Sequence, residues 1–575
     1  MKKLLYIVAI FIGLSINSCS GFLDSQNVFQ ETPENFFRGG PTNILQALSG
    51  VYEALYVEGG QAGLGNEHLL ATVIADYAFA GGDTAGDWIM HAMADFAHPG
   101  EATMQTMWRR TFEGVHRANT LKEALAVTDL SAFFATEAEK TAFVNTVMGE
   151  AYFMRGFLMF RAARLWGEMP LIVSTGTPRD VPRSSLTETW GQIAADFNRA
   201  IELLPRVNIR NRSVNDDGRA TVWTAKAFLA RTYLHYTGFM TNMMGTPTTV
   251  LTLPDGSTIT NAQVVAHLED VKANSGHALV PDFRNLWPYA HINTLAGFDV
   301  FPWAAQHGLQ WVGQDGPNGP IGSNTETMFA QRNAHATGWD ASTRFRNGFT
   351  LYAGLRNQTS TQVFGEGWGF ATVNPLLYEE WPADDLRRDA TIFRVAYVEG
   401  YNATANDGAH QTGLNNKKYA SLVFTPQVGP RTGFWWYLNR AQLGGSWTNA
   451  FHQMQDFVYL RFADVYLMHS ELTQTANGIN TVRARVGLPP VAFSMTALQN
   501  ERLWEFAFEG VRWFDLVRWG VTGVPNFWGR PVQVLTVHEP VMHTNNFRPE
   551  TRGLLLIPPI EVTLADGIYT QNPGW

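Results

Sequence analysis

Apolar residues recur at three- and four-residue spacing over two long blocks of the chain, roughly 40–240 and 450–520, and this periodicity predicts amphipathic helices. In 147–166, VMGEAYFMRGFLMFRAARLW, the residues Ala151, Met154, Phe157, Leu158 and Leu165 fall on one stripe, and Pro170 marks the exit. The stretch 219–236, RATVWTAKAFLARTYLHY, repeats the spacing with small residues that let two helices approach closely. Paired helices of this length predict degenerate tetratricopeptide-type units, because no clean repeat of ~34 residues can be read. Between about 241 and 450 the periodicity lapses into Gly, Asn, Thr and Trp, as in DGPNGPIGSN (315–324) and FGEGWGFATVNP (364–375). These segments are expected to be loops, short strands and small helices draped over the helical frame, and the ligand surface is expected to draw heavily on them. The predicted architecture is mainly α: a helical-repeat frame over 40–240, a loop-rich ligand-binding insert over 241–450, and a further helical part with a tail over 451–575.

The amino terminus has a different pattern. Lys2 and Lys3 precede an apolar run from Leu4 to Leu14, followed by small or polar residues up to Cys19. This is the charged, apolar and cleavable layout of a secretory signal over residues 1–18, and the run is shorter than the ~20 residues of a spanning helix. Cys19 stands where the signal ends and resembles the lipidated cysteine of bacterial lipoproteins, although Ile16, Asn17 and Ser18 depart from the usual lipobox. Residues 19–39 then read as a lipidated amino-terminal segment. Cleavage before Cys19 removes two lysines and no acid, leaving 40 basic residues against 51 acids and a net charge of −11.

Composition narrows the functional classes. Cys19 is the only cysteine in 575 residues, which excludes an intramolecular disulfide, a CxxC redox centre and any cysteine-built metal site within one chain. The formal charge of −9 and a pI near 5.9, without a basic run, leave no surface for nucleic acid. With 19 Trp, 17 Tyr and 37 Phe, the chain holds more aromatic surface than a core needs. No HExxH, GxSxG or Gly-Lys pair is present, and the 15 His are scattered, so no metal, no cofactor and no catalytic residue is assigned. NDDGRA (215–220) lacks the spacing and closing glutamate of an EF-hand and reads as a polar turn.

Several segments together resemble the SusD/RagB family of outer-membrane nutrient-binding lipoproteins of Bacteroidetes. They are CSGFLD (19–24), EAYFMRGFLMFRAARLWGEMPLI (150–172), GRATVWTAKAFLARTYLHYTG (218–238), RFADVYLMHSELTQTANGINTVRARVGLP (461–489), ERLWEFAFEGVRWFDLVRWG (501–520) and LLLIPPIEVTLADGIYTQNPGW (554–575). Glu168 stands where the family commonly has Asp. The resemblance implies a SusD-like fold and a cell-surface protein that binds glycan without breaking a bond. It further implies delivery of that glycan to a SusC-like TonB-dependent outer-membrane transporter, and a lipid anchor in the outer membrane facing the cell exterior. The same machinery loaded with peptide, a glycan hydrolase and a pure helical-repeat scaffold remain as alternative readings.

Sugars present apolar C–H faces and hydroxyl edges, so a site for them needs exposed aromatic platforms beside carboxylates, amides and arginines. Asp83 and Trp88 in GGDTAGDWIM are candidates, with Asp87 beside them. So are Trp287 and Tyr289 in NLWPYA, Trp303, Trp311, Trp339, and Trp368 in GEGWGF. Asn324 and Arg344, Arg346 or Arg356 are further candidates for edge hydrogen bonds. A single helix over 501–519 would place Arg502/Glu505, Glu509/Arg512 and Asp515/Arg518 as i,i+3 pairs off its buried stripe. A glycosidase would use Glu505 and Glu509, since two carboxylates ~5–9.5 Å apart hydrolyse sugars. Neighbouring arginines would keep both ionised, whereas an acid catalyst needs one carboxyl held protonated.

Overall fold

The computed structural model describes residues 33–56, 67–83, 86–97, 104–178, 180–213, 216–290, 306–309, 311–312, 324–333, 348–356, 366–395, 408–420, 422–424, 432–433, 455–521, 523–536 and 539–575. The proposed signal and Cys19 lie outside them. The frame is a series of helices, each packed on the next in sequence: Gln105–Val127, Glu137–Trp166, Leu186–Leu203, Val222–Asn242 and Asn261–Asn274. The last lies inside the span read as an insert, yet packs on both Val222–Asn242 and Phe462–Thr473.

Local chemistry fixes where these helices begin. Thr136 accepts from Glu139 N while the Glu139 carboxylate accepts from Thr136 N, and Ser185 with Glu188 and Thr260 with Gln263 repeat this capping box. Each cap satisfies amide groups that the first turn leaves without partners, a contribution of about 1 kcal/mol. The Glu137–Trp166 helix therefore starts well before Ala151, where its apolar stripe begins, on a first segment, 137–146, with no fully buried residue. Its far end is closed by the carboxy-terminal tail: Leu555 N donates to Leu165 O at 2.7 Å, and Asn572 Nδ2 donates to Trp166 O at 3.0 Å and to Leu555 O at 2.7 Å.

Strands among the described residues form two-stranded ribbons. Two of them cross between distant parts of the chain: Ala78–Gly81 pairs antiparallel with Phe370–Val373, and Thr327–Gln331 with Phe457–Arg461. The second ribbon lays Phe329 and Tyr459 against Phe157, bringing the long loops onto the frame. No helix among the described residues is long and apolar enough to cross a membrane.

The expected single helix over 501–519 is two helices, Met495–Phe506 and Arg512–Arg518, separated by a turn with Phe508 and Gly510 at positive φ. The carbonyls needed to continue the first helix are taken by side chains from elsewhere. Arg461 Nη2 and Lys418 Nζ donate to Glu505 O at 3.1 and 3.0 Å, and His68 Nε2 lies 3.0 Å from Phe508 O. The expected side-by-side ion pairs are also corrected. Arg502, Glu505, Glu509, Arg512, Asp515 and Arg518 are all buried, and only Asp515/Arg518 pairs as expected, at 2.9 Å. Arg502 pairs with Asp464 and Asp515, and Arg512 with Asp76. Glu505 accepts from Arg461 at 2.9 Å, Arg387 at 3.1 Å and Arg485, while Glu509 accepts from Arg461 and Lys418, both at 2.7 Å.

Candidate functional site

The strand Ala78–Gly81 ends in a turn that must pass very close to its partner strand. Gly81 and Gly82 both take positive φ, and a Cβ at Gly81 would stand 2.1 Å from Gly369 O. Gly82 N donates to Gly369 O at 2.9 Å, and Ala409 N donates to Gly82 O at 2.9 Å. Only glycine fits this clamp between two chain segments, and it delivers the acidic turn that follows to a fixed place.

In that turn Asp83 N donates to Asp87 Oδ2 at 2.8 Å, and Asp87 N donates back to Asp83 Oδ1 at 3.3 Å. His91 Nε2 lies 3.1 Å from Asp83 O. Arg356 reaches in from a segment packed against Gly369. Its Nη2 is 3.2 Å from Asp83 Oδ2, its Nη1 is 3.8 Å from Asp87 Oδ2, and Nη1 also donates to Trp368 O at 3.1 Å. The Trp368 ring packs on Tyr352 with centroids 5.1 Å apart, and its main-chain N donates to Leu351 O at 2.9 Å. Burial, opposed by Arg356 and His91, raises the Asp87 carboxyl above its ordinary range. Trp88, the first residue of the helix Trp88–Ala94, is 51% exposed beside this cluster. One guanidinium thus holds two carboxylates and the main chain of a tryptophan, with a second tryptophan open to solvent on the same turn. The arrangement supplies a flat apolar face and several hydrogen-bonding edges, which is the chemistry of saccharide recognition.

Of the residues singled out in the sequence, the structure joins Asp83 to the main chain of Trp368 through Arg356, and leaves Trp88, next to Asp87 in the chain, open to solvent. Trp287 and Tyr289 are corrected to core positions: they are 2% and 1% exposed, and the cations of Lys418 and Lys417 lie 4.9 and 4.7 Å from their ring centroids. Trp311 is half-buried against the core. Asn324 spends its side chain on Thr327, at 2.9 Å from the hydroxyl, at the start of a strand. Trp303, Trp339, Arg344 and Arg346 lie outside the described residues. Tyr352 and the Gly408–His410 segment were not singled out, and no local pattern signals them, because they reach the turn through pairings across hundreds of residues.

The glutamates that a hydrolase would use are held differently. Burial would raise the Glu505 carboxyl, yet Arg485, Arg461 and Arg387 hold it well below its ordinary range; against the same burial, Arg461 and Lys418 hold Glu509 lower than its ordinary value. Neither can donate a proton near neutrality. The acids of the 216–219 turn are taken by arginines, Asp216 by Arg219 at 2.7 Å and Asp217 by Arg332. Among the described residues no group of three or more His, Cys, Asp or Glu is placed to hold a metal ion.

Comparison with known proteins places the chain in a family. Residues 336–575 match the model of the SusD family, and residues 22–234 match a model described as starch-binding associating with outer membrane. A SusD-like protein P2 of Formosa agariphila is 25% identical over 458 residues, covering 75% of this chain and 74% of the relative. A laminarin binding SusD-like protein superposes with a TM-score of 0.64 at 21% identity, covering 93% of this chain and 100% of the other. Surface glycan-binding protein A from Bacteroides thetaiotaomicron, solved in complex with laminarihexaose, gives a TM-score of 0.67 at 18% identity, covering 93% and 99%. The two matched spans take in most of the chain from end to end, and the protein belongs to the SusD family.

Proposed function

We propose that this protein captures glycan at the cell surface on the turn bearing Asp83 and Trp88, and passes it to a SusC-like TonB-dependent transporter in the outer membrane. It does so as a binding protein and not as an enzyme. A lipid on Cys19 would tether it to that membrane with the ligand surface facing outward. The observation that carries the reading is the open Trp88 ring beside the Asp83–Arg356–Trp368 cluster. An indole left 51% exposed on a turn clamped by two glycines offers a fixed apolar face that a partner can cover. Sugar rings are suited to that role, since their C–H faces stack on indole while their hydroxyls meet the carboxylates. The names of the structural neighbours, which mention laminarin and laminarihexaose, support the same ligand class.

Affinity electrophoresis against a polysaccharide panel that includes laminarin tests the reading. At least one polysaccharide should retard the native chain, and Trp88→Ala should remove about 1–2 kcal/mol of that affinity, roughly tenfold. Binding to peptides alone, or retardation that Trp88→Ala leaves unchanged, would overturn it. Cys19→Ala should release the protein from membranes, and retention would count against the anchor.

A further inference from the structure

We propose a second saccharide site, for a neutral glycan segment, in the cleft that the helix Pro41–Tyr52 forms with the 217–219 turn and the edge of the strand Thr327–Gln331. The cleft has a volume of about 670 Å³, within the range of small-ligand sites. It shares no lining residue with the Trp88 surface, and so does not depend on that surface being correctly assigned.

The first observation is a glycine. Gly50 sits in the last turn of the helix, where glycine is destabilising, and lines the cleft. Its φ is not positive, and a Cβ built on it meets nothing within 4 Å. Neither packing nor backbone conformation requires glycine here. What its missing side chain provides is room on the cleft wall, where a ligand can approach the helix backbone.

The second observation is a pair of aromatic rings fixed from behind. Tyr52 and Tyr56 both line the cleft. The Tyr52 hydroxyl donates to Glu150 Oε2 at 2.7 Å and accepts from Ala220 N at 2.8 Å, and the Tyr56 hydroxyl donates to the Arg332 main-chain carbonyl. Rings anchored at their polar tips have little freedom left to lose when a sugar stacks on them. Leu45 and Leu48 extend the apolar wall beside them.

The third observation is the charge of the rim. Glu53, Asp217, Arg219 and Arg332 line the cleft and sum to zero. Each is already in an ion pair: Glu53 with Arg110 and Arg117, Arg219 with Glu150, and Arg332 with Asp217 and with Asp456 at 2.6 Å. A rim balanced in this way has no excess charge to attract an ionic ligand. It presents oxygens and nitrogens that retain capacity for further hydrogen bonds, which suits uncharged hydroxyls.

Isothermal titration of the full chain with laminarihexaose, maltohexaose, cellohexaose and xylohexaose, and with trigalacturonate as an acidic control, tests the site. Gly50→Trp fills the cleft from a position with open space, and Gly50→Ala leaves it open while improving the helix. At least one neutral hexasaccharide should lose a binding component tenfold or more in Gly50→Trp and keep it in both Gly50→Ala and Trp88→Ala, with thermal midpoints no lower than wild type. Titrations with all four neutral probes that Gly50→Trp leaves unchanged would overturn the proposal, as would a trigalacturonate component lost on the same substitution. Saccharide binding abolished by Trp88→Ala alone would leave the first site standing and remove this one; loss in Gly50→Trp alone would do the reverse.

Discussion

Arg356 Nη2 lies 3.2 Å from Asp83 Oδ2, across a chain separation of 273 residues, and this contact ties the acidic turn to the segment that carries Trp368. In the proposed site Arg356 would act as a positioning residue. Arg356→Ala should weaken glycan binding about tenfold or more without removing any group that stacks on sugar, because two carboxylates and the Trp368 main chain lose their common partner. Arg356→Lys retains the charge but not the fork, and should recover only part of the affinity. Calorimetry of both variants beside Trp88→Ala decides this, and full affinity in Arg356→Ala would contradict the assignment.

Glu505→Gln should be a stability variant. Arg461, Arg485 and Arg387 would face a neutral amide in a buried place, and breaking such a network costs about 3–5 kcal/mol. Denaturant unfolding should show that loss, and incubation with any bound glycan should release no reducing ends from either form.

Asn572→Ala should cost about 1–3 kcal/mol, because it leaves Trp166 O and Leu555 O without their amide donor, along with Arg183 without the acceptor it reaches at 2.7 Å. The loss should be visible as a lower thermal midpoint with glycan affinity unchanged.

Stability should also fall as pH drops below about 6.5. Burial holds His68 and His277 at about 4 and His410 lower still. Between pH 6.5 and 4 the unfolded chain binds protons that these folded imidazoles refuse, so each contributes a loss of up to about 1.4 kcal/mol per pH unit. Asp456, pushed up to about 7 by burial, takes up its proton in the folded state over the same window and offsets one of them. The net direction remains acid lability. Denaturant midpoints at pH 7.5 and 5.0 check this, and His68→Gln should flatten part of the slope.

Much of the frame was legible because its signals are local. The stripe Ala151–Leu165 is read within a few residues of where it acts, whereas the capping boxes at Thr136 and Ser185, although equally local, lie outside the apolar periodicity and emerged only in the structure. The break after Phe506 was not legible, since helix propensity is overridden there by Arg461, Lys418 and His68, which occupy carbonyls from elsewhere in the chain. The burial of Trp287 was hidden for a related reason: a tryptophan in a Pro-containing loop looks available until Tyr419 and Lys418 close over it. Asp83 and Trp88 could be singled out from their polar glycine-rich turn, whereas the placement of Arg356 against that turn required the pairing of Ala78–Gly81 with Phe370–Val373.

The docking of Leu555 and Asn572 on Leu165 and Trp166 also has a consequence for the order of assembly. The early helices can form while the chain is still emerging, because their contacts join near neighbours. The end of the Glu137–Trp166 helix nevertheless stays open until Asn572, 406 residues beyond Trp166, arrives. A chain truncated before Leu555 would therefore present an unfinished apolar edge at Trp166, which makes this distant segment a condition for closing the helix as well as a source of stability.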